Sequence, residues 1–229
     1  HYLFSKYSPD IEFIEKIAFT LQNVIKKTKN SYIHGYILYS YVSEYINLLH
    51  ELEGSNSDQI NILDIGTARG FSSLCMAKSL DDNKFNGKIF TFDILPNRIS
   101  FFWNSHIDLS YGKTSRLELL KPWEDIVNKY LIFFSTATFN SLRVVDIPKI
   151  HFAFIDGSHF FKDVIFEIKY IFKRLNTNSI LILDDYDINL FPGVVKACDY
   201  LLSLKLHTSF ELIPIQNERK LAVFKFGLN

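Results

Sequence analysis

Charge of one sign, cysteine and long apolar runs are what this chain has least of, and each shortage removes a class of function. The 25 basic and 25 acidic residues cancel, and no run of about five or six like charges occurs. There is no electrostatic footprint for nucleic acid or for an anionic membrane surface, and neither is expected as a partner. Cys75 and Cys198 are isolated thiols on apolar helix faces. They point to buried, reduced cysteine in a reducing compartment rather than to a disulfide or a metal pair. No apolar run reaches transmembrane length and no signal-peptide pattern opens the chain, so the expected location is the cytoplasm.

Apolar residues are plentiful: 48% of 229 positions, enough for a substantial core in one compact α/β domain with a short extension. The extension, residues 1–56, reads as two helices. Ser8-Pro9-Asp10 ahead of Ile11, Ile14, Ala18, Leu21 and Ile25 predicts a cap, a first-turn proline and one apolar stripe, the helix running to about Lys27. A second helix is expected from about Gly35 to Leu52, closed by Gly54-Ser55-Asn56-Ser57. Its tyrosines, Tyr36, Tyr39, Tyr41 and Tyr45, read as core or rim residues. Helices placed here could also cover a substrate pocket, with His34 the candidate contact.

Residues 57–229 are expected to form the cofactor-binding core, organised around Ile60 to Leu80. Ile62, Leu63 and Ile65 make a buried-strand run, and Phe71, Leu74, Cys75 and Ala77 recur at helical spacing, so the period changes across Gly66-Thr67-Ala68-Arg69-Gly70. A glycine-bearing turn between strand and helix leaves open backbone and free N–H groups where a nucleotide-like ligand can bind. The order Asp64-x-Gly66-x-x-x-Gly70 cannot place the first two glycines of the dinucleotide pattern, which disfavours an NAD-linked oxidoreductase. Lys88 to Asp93 is a second strand ending in a carboxylate, about twenty residues past the turn, where an acid can accept hydrogen bonds from both ribose hydroxyls. The plainer alternative is an aspartate capping the next turn. From Pro96 to Tyr130, with Trp103, His106, Arg116 and Trp123, a mostly helical crossover is expected before a third strand, Leu131 to Ser135.

The stretch from His151 to Tyr186 reads as one βαβ unit. Phe152, Phe154 and Ile155 run into Asp156-Gly157-Ser158-His159, a helix follows to Phe172 and Leu175, and Ile180 to Leu183 run into Asp184-Asp185. A right-handed crossover sets the carboxyl ends of parallel strands on one sheet edge, so Asp156 should converge with the Asp184-Asp185 pair. Three clustered carboxylates repel unless protonated or neutralised, and oxygen-only ligands suit Mg²⁺, with Ca²⁺ or Mn²⁺ as alternatives. Taken singly, each acid is equally well explained by turn chemistry. His159 reads as a general base, a cofactor or metal neighbour, or a helix cap.

Two motifs carry a family resemblance. The Asp64-x-Gly66-x-x-x-Gly70 turn resembles the first motif of class I S-adenosylmethionine-dependent methyltransferases. F-I-D-G-S-H, a helix and L-I-L-D-D-Y resemble the metal-dependent small-molecule O-methyltransferases, the group of macrocin O-methyltransferase-like and rhamnosyl methyltransferase or cephalosporin-hydroxylase-like proteins. The resemblance covers about Ile60 to Leu202, and Phe191 to Ala197 is similar to that group's next helix start. It implies an α/β Rossmann-like fold: a seven-stranded, mostly parallel sheet with the last strand antiparallel and helices on both faces. Phe210 to Ile213 and Leu221 to Phe226, across Gln216-Asn217-Glu218-Arg219, would be the closing hairpin.

The resemblance further implies S-adenosyl-L-methionine held by Asp64, Gly66, Thr67, Gly70, Ser72, Asp93 and Asp156. A divalent metal such as Mg²⁺ would sit on Asp156, Asp184 and Asp185, with His159 and Asp156 catalytic in methyl transfer to a hydroxyl of a small acceptor such as a sugar. Adenine contacts are unassigned, because an acid often found after the third strand is missing from Ser135-Thr136-Ala137-Thr138. A noncatalytic scaffold on the same fold is a second reading. Nucleic-acid methylation is disfavoured, because Ile155-Asp156-Gly157 stands where base-amino methyltransferases carry Asn/Asp-Pro-Pro-aromatic. Self-association is left open.

Overall fold

A computed structural model describes residue 7 and residues 9–23, 32–53, 59–215 and 219–228. Ser8, the run from 24 to Lys27, the closing residues 54–57 and the hairpin turn at 216–218 lie outside the described residues. The sheet has seven strands in the order β3-β2-β1-β4-β5-β7-β6. Strands β1 (Ile60–Ile65), β2 (Gly87–Asp93), β3 (Leu131–Ser135), β4 (Ile150–Ile155) and β5 (Leu175–Leu183) run parallel. β7 (Lys220–Phe226) is antiparallel to β5, and β6 (Ser209–Pro214) antiparallel to β7. This is the Rossmann-like arrangement expected from the sequence.

All six residues of β1 are buried, as a central parallel strand covered on both faces requires. Alternate residues serve opposite cores. Ile60 and Ile62 pack with α1 (Ile11–Leu21), α2 (Ile33–Glu53) and α3 (Phe71–Asp82). Leu63 and Ile65 pack with α8 (Phe161–Phe172) and α9 (Pro192–Leu204). β1 pairs with β2 on one side and β4 on the other. The crossovers from β1 therefore diverge, and a crevice opens at the carboxyl ends of β1 and β4, where open α/β sheets bind ligands.

Two expectations are corrected, and a third, the mostly helical crossover, is resolved into its helices. The cap of α1 is Asp10, whose carboxylate accepts from the Phe13 N–H at 3.3 Å, and Pro9 precedes the cap instead of following it. The long crossover divides into α4 (His106–Tyr111), α5 (Arg116–Leu120) and α6 (Glu124–Tyr130). At the first the Asp108 carboxylate accepts from the Ser105 N–H at 3.0 Å, and a capping box at Ser115/Glu118 starts the second. β5 begins at Leu175 rather than Ile180, its polar first half being tied down by β7 pairing at Ser179 and by the Tyr45 hydroxyl donating to the Asn178 carbonyl at 2.7 Å. α7 (Thr138–Ser141) follows β3. Cys75 and Cys198 are buried and unpaired, and among the described residues no helix is long and apolar enough to cross a membrane.

Candidate functional site

The glycine turn is built against the end of β4. Gly66 has φ +99°, and a Cβ there would lie 1.9 Å from the Asp156 carbonyl oxygen, so no other residue fits. The Gly66 N–H donates to the Phe92 carbonyl at 2.9 Å and the Asp156 N–H to the Ile65 carbonyl at 2.8 Å, which pins the turn between β2 and β4. Ala68, also left-handed at φ +44°, donates its N–H to Asp93 Oδ2 at 2.6 Å. Asp93 Oδ1 accepts from the Leu95 N–H at 2.7 Å. Each Asp93 oxygen keeps a lone pair for a ligand hydroxyl.

Arg116, at the start of α5, had no assigned role in the sequence. It is fully buried and clasps both turns. Nε donates to the Ala68 carbonyl at 2.6 Å, Nη1 to the Leu95 carbonyl at 3.2 Å and to the Asn97 side chain, and Nη2 lies 3.6 Å from Asp93 Oδ2. One buried guanidinium thus holds the turns after β1 and β2 in a fixed relation.

Asp64, Thr67, Gly70 and Ser72 stand behind the turn rather than on the cleft wall. Asp64 is fully buried and accepts from Ser72 Oγ at 3.1 Å, from Thr91 Oγ1 at 3.2 Å and from Ser73 Oγ. Burial pushes its carboxyl up to about 6, with the three hydroxyls working the other way. Thr67 Oγ1 is 2.5 Å from Thr91 Oγ1, and Gly70 caps α3. Strand parity explains the placement: Leu63 and Ile65 face α8 and α9, so Asp64 must face α3.

The crevice is a cavity of about 530 Å³ whose wall includes Gly66, Ala68, Asp93 and Asp156 together with Thr136, Phe139, Phe166 and Glu167, a size that suits a nucleotide-like ligand. Glu167 is 1% exposed. Its Oε1 accepts from Thr138 Oγ1 at 2.7 Å, while Oε2 is buried and meets no donor among the described residues.

Burial pushes Glu167 up to about 7 from 4.5, the Thr138 hydrogen bond opposing and Asp163 adding. A raised carboxyl means that the folded state holds a proton the unfolded chain has released. Its stabilising effect is complete below about pH 4.5 and is lost as pH rises through 7. Glu167→Gln should therefore flatten the fall in stability across that window and stabilise the ligand-free protein at pH 8 by up to roughly 3 kcal/mol. Urea midpoints at pH 5 and pH 8 measure it, and parallel slopes for variant and wild type would contradict it.

At the ends of β4 and β5 the acids converge, with a partner set that differs from the expected one. One potential ligand atom each from Asp156, His159 and Asp185 lies within 4.8 Å of the others; Asp184 is outside this group. Asp184 accepts from the Asp185 N–H at 2.6 Å and from Arg219 Nη2 at 3.0 Å, and is 3% exposed. Asp185, left-handed at φ +58°, has Oδ2 2.7 Å from His159 Nε2. Arg219 Nε lies 2.6 Å from Asp185 Oδ1, yet the two are not aligned as a hydrogen bond, and both atoms are buried without one. Burial, then Asp184 and Asp185, push Asp156 well above the usual carboxylate range, with Arg219 opposing. His159 is partly exposed and stacks on Phe191 with ring centroids 4.2 Å apart. His34 is buried edge-on to Phe71 at 4.9 Å, near enough to Asp184 and Arg219 to feel both charges.

A family model described as a methyltransferase domain matches residues 63–186, more than half of the chain, running from β1 through both sets of strand-end acids. The chain belongs to this family. No curated protein sequence matches this methyltransferase domain. Among solved structures it is similar to the O-methyltransferase NovP, with 15% identity, a TM-score of 0.64, and 93% of this chain and 88% of that one covered. It is also similar to the O-methyltransferase TomG from Streptomyces achromogenes, in complex with SAM, at 13% identity, TM-score 0.63 and 98% and 93% coverage. An O-methyltransferase from Bacillus cereus, in complex with SAH, matches at 12% identity, TM-score 0.62 and 98% and 94% coverage. At these identities the likeness shows the fold of the methyltransferase. Arg219 lies beyond the matched span and, like Arg116 and Glu167, carries no motif; its only mark in the sequence is a polar turn.

Proposed function

We propose that this methyltransferase moves a methyl group from S-adenosyl-L-methionine to a hydroxyl of a small acceptor such as a sugar or glycosylated metabolite, with a divalent cation such as Mg²⁺ beside the acceptor. The observation that carries the reading is continuity. The glycine turn, Asp93 and Asp156 share one cavity, and Asp156 is also a member of the cluster with His159 and Asp185. Solved neighbours that are O-methyltransferases, one in complex with SAM and another with SAH, support the cofactor and the oxygen acceptor. Balanced charge favours a small acceptor over a polyanion, and a cytoplasmic setting fits two reduced thiols.

The residues fit a cation by the chemistry of the donor set, since carboxylate oxygens of Asp156 and Asp185 come together within 4.8 Å, although Arg219 Nε already lies 2.6 Å from Asp185 Oδ1. Asp156 and Asp185 would hold it, with His159 hydrogen-bonded to Asp185 beside them. When bound, the cofactor supplies an electrophilic methyl group and the cation a Lewis acid for the acceptor oxygen. The chain aligns the two partners. His159, held at Nε2 by Asp185, is the group placed to take the hydroxyl proton.

Calorimetric titration with S-adenosylmethionine tests the cofactor assignment. Wild type should bind, and Asp93→Ala should lose roughly 1.5–3 kcal/mol, the range for hydrogen bonds to a charged group. Equal affinities, with the fold of the variant checked by circular dichroism, would refute it.

A further inference from the structure

Glu167 stands where the helix pattern asks for an apolar residue. Val164, Glu167, Ile168 and Ile171 follow helical spacing on the buried face of α8, and a carboxyl group there costs stability unless something compensates. Thr138 compensates one oxygen; the other is buried with no donor among the described residues. A buried acceptor without a donor is rare and asks for an explanation. The carboxylate lies on the cavity wall, between Thr138 and Gly157, and a Cβ at Gly157 would come 3.8 Å from Oε1. Beside it Phe139 and Phe166 pack with ring centroids 4.9 Å apart. This end of the cavity combines aromatic walls, which suit a flat ring system, with one acceptor that lacks a donor.

We infer that Glu167 reads the exocyclic amino group of the cofactor's purine, an inference that rests on the S-adenosylmethionine reading above. With Asp93 on the ribose and Gly66 and Asp156 at the amino-acid end, the base extends toward Thr136, Phe139, Phe166 and Glu167. The amino group is the donor on the base edge that an acceptor can recognise, and a 6-oxo purine presents an oxygen there instead. The residue that selects adenine therefore comes from the helix after β4, and not from the end of β3, where Ser135 to Thr138 offer no acid.

The test is calorimetric titration of the full chain at pH 8 with S-adenosylhomocysteine and with its 6-oxo analogue, S-inosylhomocysteine. Wild type should prefer the adenosyl compound by roughly ten- to a hundredfold, the weight of one hydrogen bond to a charged group. Glu167→Met, which removes the acceptor at similar volume, and the shape-preserving Glu167→Gln should both lose most of that preference. Glu167→Gln should do so although the ligand-free variant is more stable than wild type at this pH, a combination that a purely structural role does not produce. Equal wild-type affinities for the two ligands, or undiminished preference in both variants, would overturn the inference while leaving the cofactor reading intact. Failure of wild type to bind either ligand would overturn the cofactor reading and the inference together.

Discussion

Gly66→Ala is expected to destabilise the protein by about 3 kcal/mol or more and to abolish cofactor binding. The added Cβ would lie 1.9 Å from the Asp156 carbonyl oxygen and 2.5 Å from its carbon, both backbone atoms. Neither side can yield cheaply, because Asp156 N–H is bonded to Ile65 and Gly66 N–H to Phe92. Any shift would also move the Ala68 N–H off Asp93, so the ribose acceptor would lose its alignment. Gly112→Ala is the control. Gly112, at φ +69° and ψ −142°, has nothing within 4 Å of an added Cβ, so only the backbone cost of about 1–3 kcal/mol applies, with no clash and no loss of cofactor binding. Urea unfolding of both variants, with calorimetry for cofactor, measures the contrast; similar losses at the two positions would mean that the close approach of β1 and β4 does not constrain the turn.

Asp185→Asn is expected to lower methyl transfer by roughly a hundredfold or more, as removal of one charge-stabilising group in an active site does, with a smaller change in stability than at Asp184, because the lost 2.6 Å pair with Arg219 is offset by relief of the burial and of the Asp184 repulsion that push the Asp185 carboxyl up. Asparagine tolerates the left-handed backbone that position 185 adopts at φ +58°, so the substitution removes charge without straining the chain. Asp184→Asn should behave in the opposite way. Asp184 is nearly fully buried, pairs with Arg219 at 3.0 Å and caps the Asp185 N–H. Its loss should cost about 1–3 kcal/mol, reduced from the value for a fully buried pair because Arg219 is partly exposed. In parallel, EDTA should abolish turnover of wild type and Mg²⁺ or Mn²⁺ should restore it. Radiolabelled methyl transfer and thermal melts of the two variants decide the matter. Full activity in exhaustively chelated buffer would defeat the metal assignment, and equal rate losses in both variants would defeat the division of labour between the two aspartates.

That division was not legible in the sequence. Asp184 and Asp185 are adjacent, both acidic and both at a strand end, so motif reading treats them alike. Consecutive residues leaving a strand point in different directions, and the left-handed turn at Asp185 exaggerates the difference. Asp184 meets Arg219 alone, while Asp185 divides its oxygens between Arg219 and His159. Arg219 belongs to the β6–β7 turn, 35 positions beyond Asp184, and no local periodicity records such a contact. Asp64 teaches the same lesson from inside a strand: it stands in the expected motif, but its parity turns it toward Ser72, Ser73 and Thr91.

By itself the sequence determined the strand, turn and helix at residues 60–82, the strand-end positions of Asp93, Asp156, Asp184 and Asp185, and the sheet edge at which those acids meet. These follow from hydrophobic period and from the fixed hand of parallel crossovers, both of which are local or topological. Only the tertiary structure decided which acid faces the cleft, which faces a cation of the chain's own, and which buried polar atom is left without a partner. Such pairings depend on side-chain direction at the ångström scale and on residues far apart in the chain: Arg116 on Ala68, 48 positions away, and Glu167 on Thr138, 29 positions away.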